Sequence, residues 1–129
     1  MRFCLVGVVG FAIDAGILEA LVSILNVNPY VARIASFLCA ANSTWLMNRS
    51  YTFKVQNKPS HKEWLCYVGS MVLGALVNYG VFVLCITFWV LAHTHLWLAV
   101  AVGSIAGLGV NFTTSKLIFL KINRSPKIH

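Results

Sequence analysis

The chain has 129 residues, 59% of them hydrophobic and only 10% charged, with a net charge of +7. Soluble domains carry about 25% charged residues, so there is too little polar surface here to cover a globule in water. That balance excludes a soluble enzyme, a disulfide scaffold and a disordered tail, and it makes the positive charge a matter of membrane sidedness before nucleic acid.

Four apolar segments follow one another, at 3–25, 30–47, 65–91 and 96–120. A helix needs roughly 20 residues to cross a hydrocarbon core about 30 Å thick. The segments predict an all-α integral membrane protein with four transmembrane helices, a single domain over residues 1–129. The first segment follows Arg2 but is too long for a signal sequence. It also carries Asp14 and Glu19 and has no small-residue cleavage site after it, so it reads as a retained helix.

Nine of the ten basic residues fall at one face. Arg2 precedes the first segment, Arg49, Lys54, Lys58 and Lys62 lie between the second and third, and Lys116, Lys121, Arg124 and Lys127 close the fourth. The connections 26–29 and 92–95 carry no Lys, Arg, Asp or Glu. Basic loops stay cytoplasmic, which predicts both termini inside. Cys4, Cys39, Cys66 and Cys85 sit in apolar segments without paired spacing and read as small apolar filler. No catalytic set, metal site or cofactor is expected, and the chain reads as a non-enzyme.

The sequence repeats. Phe3-Cys4-Leu5-Val6-Gly7 is matched by Leu65-Cys66-Tyr67-Val68-Gly69, and Gly10 with Asp14 by Gly74 with Asn78. Asn48-Arg49-Ser50-Tyr51-Thr52-Phe53-Lys54 aligns without a gap on Ser115-Lys116-Leu117-Ile118-Phe119-Leu120-Lys121. This predicts two helical hairpins in parallel repeat, about 1–54 and 63–121, related by an axis along the membrane normal.

The hairpin geometry places polar residues near mid-membrane in facing pairs, Asp14 with Asn42 and Asn78 with Asn111. They serve either as interhelical glue or as a polar path through the bundle. Glu19 and Arg33, in the outer half of the first hairpin, are expected to form an ion pair or a gate, since either charge alone is costly in hydrocarbon. Small residues at four-residue spacing, such as Ala32, Ser36 and Ala40 or Gly103 and Gly107, mark faces for close helix packing.

The opening from Arg2 to Phe11 with Asp14, the exit Trp45-Leu46-Met47-Asn48-Arg49-Ser50-Tyr51-Thr52-Phe53 and the second exit Asn111-Phe112-Thr113-Thr114-Ser115-Lys116 resemble GtrA-like membrane proteins, over Arg2 to Lys121. The second copy departs from the pattern, with Ile118, Phe119 and Leu120 where Tyr51, Thr52 and Phe53 stand in the first. The resemblance implies a flippase of polyprenyl (undecaprenyl) phosphate-linked sugar for cell-surface polysaccharide, in a bacterial inner membrane, beside a membrane glycosyltransferase. The alternative is a non-transporting subunit that anchors such a glycosyltransferase. Asn48, Arg49, Ser115 and Lys116 then become the candidate headgroup site, because a guanidinium takes phosphate bidentately and an ammonium takes it as a point charge. The same cations also fit simple positive-inside anchors. The expected partners are the lipid-linked sugar, the glycosyltransferase and the bilayer. A homo-oligomer is compatible with the little space that four helices enclose, and no nucleic acid is expected.

Overall fold

The computed structural model of the chain describes residues 1–124, and every regular element among them is helical. Helix α1, Arg2–Glu19, runs into a π-helical turn, Ala20–Ile24. Helix α2, Pro29–Met47, runs into a second one, Asn48–Thr52. Then come α3, His61–Phe88, the short α4, Val90–Thr94, and α5, Leu96–Arg124. Lys127, counted above with the basic residues, lies outside the described residues.

Three stretches are long and apolar enough to cross a membrane: Arg2–Ile24, His61–Phe88 and Leu96–Arg124. This makes the chain a multi-pass integral membrane protein. Helix α2 does not reach that standard. It has 19 residues, and Arg33, Asn42, Ser43 and Thr44 dilute its apolar content.

The described chain packs as two compact units, one made of Met1–Trp64 with residues 119–124, the other of Leu65–Ile118. The first unit is built on an antiparallel hairpin. Phe3, Val6 and Gly10 form the buried stripe of α1, and Ala32, Ser36, Ala40, Ala41, Thr44 and Trp45 that of α2. The small residues let the backbones approach closely. A Cβ on Gly10 would collide with the Thr44 methyl. Asn28 caps α2, its side-chain oxygen accepting from the Tyr30 N–H at 2.9 Å, and Pro29 holds the first helical position.

The two π-helical turns close alike. The Leu25 N–H reaches the Ala20 carbonyl (3.3 Å) and the Val27 N–H that of Leu21 (2.9 Å); the Phe53 N–H reaches Asn48 (2.8 Å) and the Val55 N–H reaches Arg49 (2.8 Å). Two residues past each turn stands a left-handed residue, Asn26 at φ 53° and Lys54 at φ 50°. Phe53 then stacks on Phe119 at 5.0 Å and meets the edge of Phe3 at 6.4 Å. Arg2 lies 5.0 Å over the Tyr51 ring and donates to the Tyr51 carbonyl at 3.3 Å.

In the second unit the α3 and α5 segments pack through glycines. A Cβ on Gly103 would lie 2.6 Å from the Asn78 carbonyl oxygen, and one on Gly107 2.8 Å from that of Gly74. Gly74 in turn has the Asn111 amide against it. The Ser70 and Thr114 hydroxyls share a hydrogen bond, and Tyr67, Ala99 and Ser115 are buried.

Candidate functional site

The densest polar network of the first unit joins the end of α2 to the first turn of α3. Ser60 precedes that turn and its hydroxyl accepts from the Glu63 N–H at 3.2 Å. In a capping box the Glu side chain would reach back to the cap. Here it turns away, and its Oε1 accepts from Trp45 Nε1 at 2.8 Å and from Arg49 Nε at 2.9 Å. Arg49 Nη2 also donates to the Asn57 carbonyl, while Asn57 Nδ2 donates to the Ile122 carbonyl at 2.6 Å. The Arg49 and Glu63 side chains are only 7% and 2% exposed. Asn48, equally buried, accepts from the Thr52 hydroxyl at 2.8 Å.

The structure gives Arg49 an internal partner that the sequence reading did not include. A phosphate arriving at the helix exit would find the guanidinium already neutralised by an internal carboxylate. The sequence signal for Glu63 is slight: it is one of only three acids and closes a Ser60-x-x-Glu63 pattern that marks a helix start.

Beside the network lies a cleft of about 380 Å³, lined by Asn42, Trp45, Pro59, Ser60, His61 and Trp64. Trp64 Nε1 donates to Asn42 Oδ1 at 3.2 Å. Lys58 and Lys62 are exposed on either side of the lining segment.

Asp14 does not face Asn42, its expected companion. Its Oδ2 binds Arg33 Nη1 at 2.5 Å, with side chains 17% and 56% exposed. Its other oxygen is buried without a hydrogen bond among the described residues. The contact of Gly10 with Thr44 sets the register and puts Asp14, one turn on, level with Ala40 rather than Asn42. Asn42, two residues further along α2, is exposed on another face, where it holds Trp64. The expected Glu19–Arg33 pair is likewise corrected. Five residues beyond Asp14, Glu19 points about 140° away around the helix, is exposed, and accepts from the Ser23 hydroxyl at 2.6 Å.

In the second unit Asn78 and Asn111 are offset by a turn. Asn111 packs on Gly74, and Asn78 on Gly103 and Gly107, so each amide opposes a glycine and not the other amide. Asn111 Oδ1 and Ser115 Oγ are buried without hydrogen-bond partners among the described residues. Lys116 is exposed. Of the four expected headgroup residues, Asn48 and Arg49 thus belong to the first unit and Ser115 and Lys116 to the second.

No curated protein matches the sequence. The model of one family does, that described as GtrA/DPMS, transmembrane domain, and it takes in residues 2–120. With nearly the whole chain inside that match, and with its apolar helices as found, this protein belongs to the GtrA/DPMS transmembrane-domain family.

Proposed function

We propose that the protein carries sugars linked to polyprenyl phosphate, of the undecaprenyl type, across a bacterial inner membrane for cell-surface polysaccharide synthesis or modification. It acts as a carrier and not as an enzyme. Membership of the GtrA/DPMS family supports a role in polyprenyl-phosphate sugar metabolism. In this reading α2 is the fourth crossing, and both termini and the loop after Thr52 are cytoplasmic, as the nine-to-one distribution of basic residues favours. A membrane glycosyltransferase charges the carrier lipid, and a homo-oligomer supplies the space that one chain lacks.

The observation that carries the reading is the Asp14–Arg33 pair. A charge inside an apolar segment costs about 2.5–3.5 kcal/mol on insertion scales and is retained for function by default. A subunit that only anchored a glycosyltransferase would need no such pair. The exposed Lys116 is the freer cation for a headgroup phosphate, whereas Arg49 would serve one only after Glu63 gives way.

The test is flipping in proteoliposomes. A fluorescent polyprenyl-phosphate hexose is placed in both leaflets, and a membrane-impermeant quencher reports how much reaches the outside. Wild type should expose the inner pool far faster than empty vesicles, and Asp14→Asn should slow the exchange at equal protein content. Binding of the lipid without any flipping would overturn transport in favour of the anchoring subunit.

A further inference from the structure

The cleft beside the Arg49–Glu63 network is not used by the carrier argument, and its lining has a definite chemistry. It holds two indoles, and both have their N–H groups committed elsewhere, Trp45 to Glu63 and Trp64 to Asn42. Those bonds fix the planes of the rings. An indole face carries negative quadrupole charge and attracts the polarised C–H bonds of a pyranose ring, with no need for a charged ligand. Pro59 adds an apolar wall.

The remaining lining is polar at the edges. Ser60 and His61 are exposed. Asn42 spends its oxygen on Trp64, which leaves its amide N–H groups for another acceptor. Fixed aromatic planes edged by a few hydrogen-bonding groups suit a ring that is apolar on its faces and hydroxylated at its rim. A volume of about 380 Å³ falls within the range of roughly 300–1,000 Å³ typical of small-molecule sites. An acyl or prenyl chain would leave the polar edge groups unanswered, and an anion would gain nothing from the indole faces.

We infer that this cleft seats the pyranose ring of the transported lipid's headgroup, stacked on the part-exposed Trp64 indole, with the buried Trp45 backing the cleft and Asn42, Ser60 and His61 at the sugar hydroxyls. The inference rests on the carrier reading above and adds where the sugar is recognised. A soluble sugar offers the same ring, so the test separates the two sources.

The experiment uses the full chain in nanodiscs with Trp89 and Trp97 replaced by Phe, so that fluorescence reports Trp45 and Trp64. Three probes are titrated: polyprenyl phosphate, the same lipid carrying a hexose, and the free hexose. The glycosylated lipid should bind roughly tenfold tighter than the bare one, about what one aromatic stack supplies, and should shift the emission. Trp64→Leu and, separately, His61→Ala should erase most of that preference while leaving affinity for the bare lipid unchanged. Trp64→Phe should keep most of it. His61 is exposed, so its variant does not depend on the fold tolerating the loss of Trp64. Equal affinity for both lipids, or a preference that survives Trp64→Leu and His61→Ala, overturns the inference and leaves the carrier reading standing. Tight binding of the free hexose alone overturns the lipid source. Failure to bind any polyprenyl phosphate overturns both the inference and the carrier reading beneath it.

Discussion

Arg49→Met should be among the most destabilising single changes in the first unit. Its partner Glu63 is only 2% exposed and would keep just the Trp45 N–H as a donor at Oε1. Removing one member of a buried ion pair costs about 3–5 kcal/mol, because the other charge stays behind unpaired. The Asn57 carbonyl would lose its donor as well. Against a total stability of about 5–15 kcal/mol, that is a large share. Glu63→Gln keeps an oxygen for Trp45 and Arg49 and removes only the charge, so it should cost less, about 1.5–3 kcal/mol. Arg49→Met combined with Glu63→Gln leaves no buried charge and should cost no more than Arg49→Met alone. The cycle then shows a coupling of about 2–3 kcal/mol. Equilibrium unfolding in mixed detergent, followed by circular dichroism, measures all three variants. Burial also shields the pair from salt, so the coupling should survive added sodium chloride. Additive single effects below about 1 kcal/mol each, the behaviour of surface pairs, would refute the argument from burial.

Gly103→Ala and Gly107→Ala should each lower stability by about 1–3 kcal/mol, since their Cβ atoms would meet backbone carbonyl oxygens that cannot turn aside. Gly80→Ala, with nothing within 4 Å, should gain about 0.5–1 kcal/mol from helix propensity, and the same detergent unfolding tells the two classes apart. Lys54→Gly should stabilise by roughly 1 kcal/mol by relieving a left-handed non-glycine residue; no change would mean that the conformation carries no strain. Single cysteines at Lys58 and at Thr94, in a background with the four native cysteines removed, should react with an impermeant maleimide from opposite sides, and labelling from the same side would sink the four-crossing topology.

The helices were legible because long apolar runs leave little choice. The paired polar residues were less so. Placing Asp14 opposite Asn42 needed the hairpin register to within one residue, and each residue of error turns the face by about 100°. The contact of Gly10 with Thr44, which fixes that register, depends on how closely the two backbones approach. The sequence shows that Arg33 needs a carboxylate, but whether Asp14 or Glu19 supplies it depends on that same rotation. Glu63 is hard to single out in the sequence because it stands among Lys58, His61 and Lys62 and resembles a solvated loop acid. Its burial arises from Trp45 and Arg49 on a different helix. The cleft was invisible for a related reason: Asn42 and Trp64 are 22 residues apart and meet only once the loop folds back.

The π-helical turn after α2 has a consequence for how the chain tolerates insertions and deletions. A π turn holds one residue more than the α turn it replaces. Losing one residue between Asn48 and Thr52 could therefore be absorbed by tightening that turn, with α2 and its Gly10 contact untouched. The cost would fall on the turn's own closure: Lys54 would leave its left-handed position and Phe53 would come off the Phe119 ring. A deletion in the straight part of α2 would do the reverse, turning Arg33 relative to Arg49 and so re-orienting the Asp14 pair with respect to the Glu63 pair. Length variation among relatives should accordingly collect after Asn57, whose carbonyl takes the last bond from Arg49.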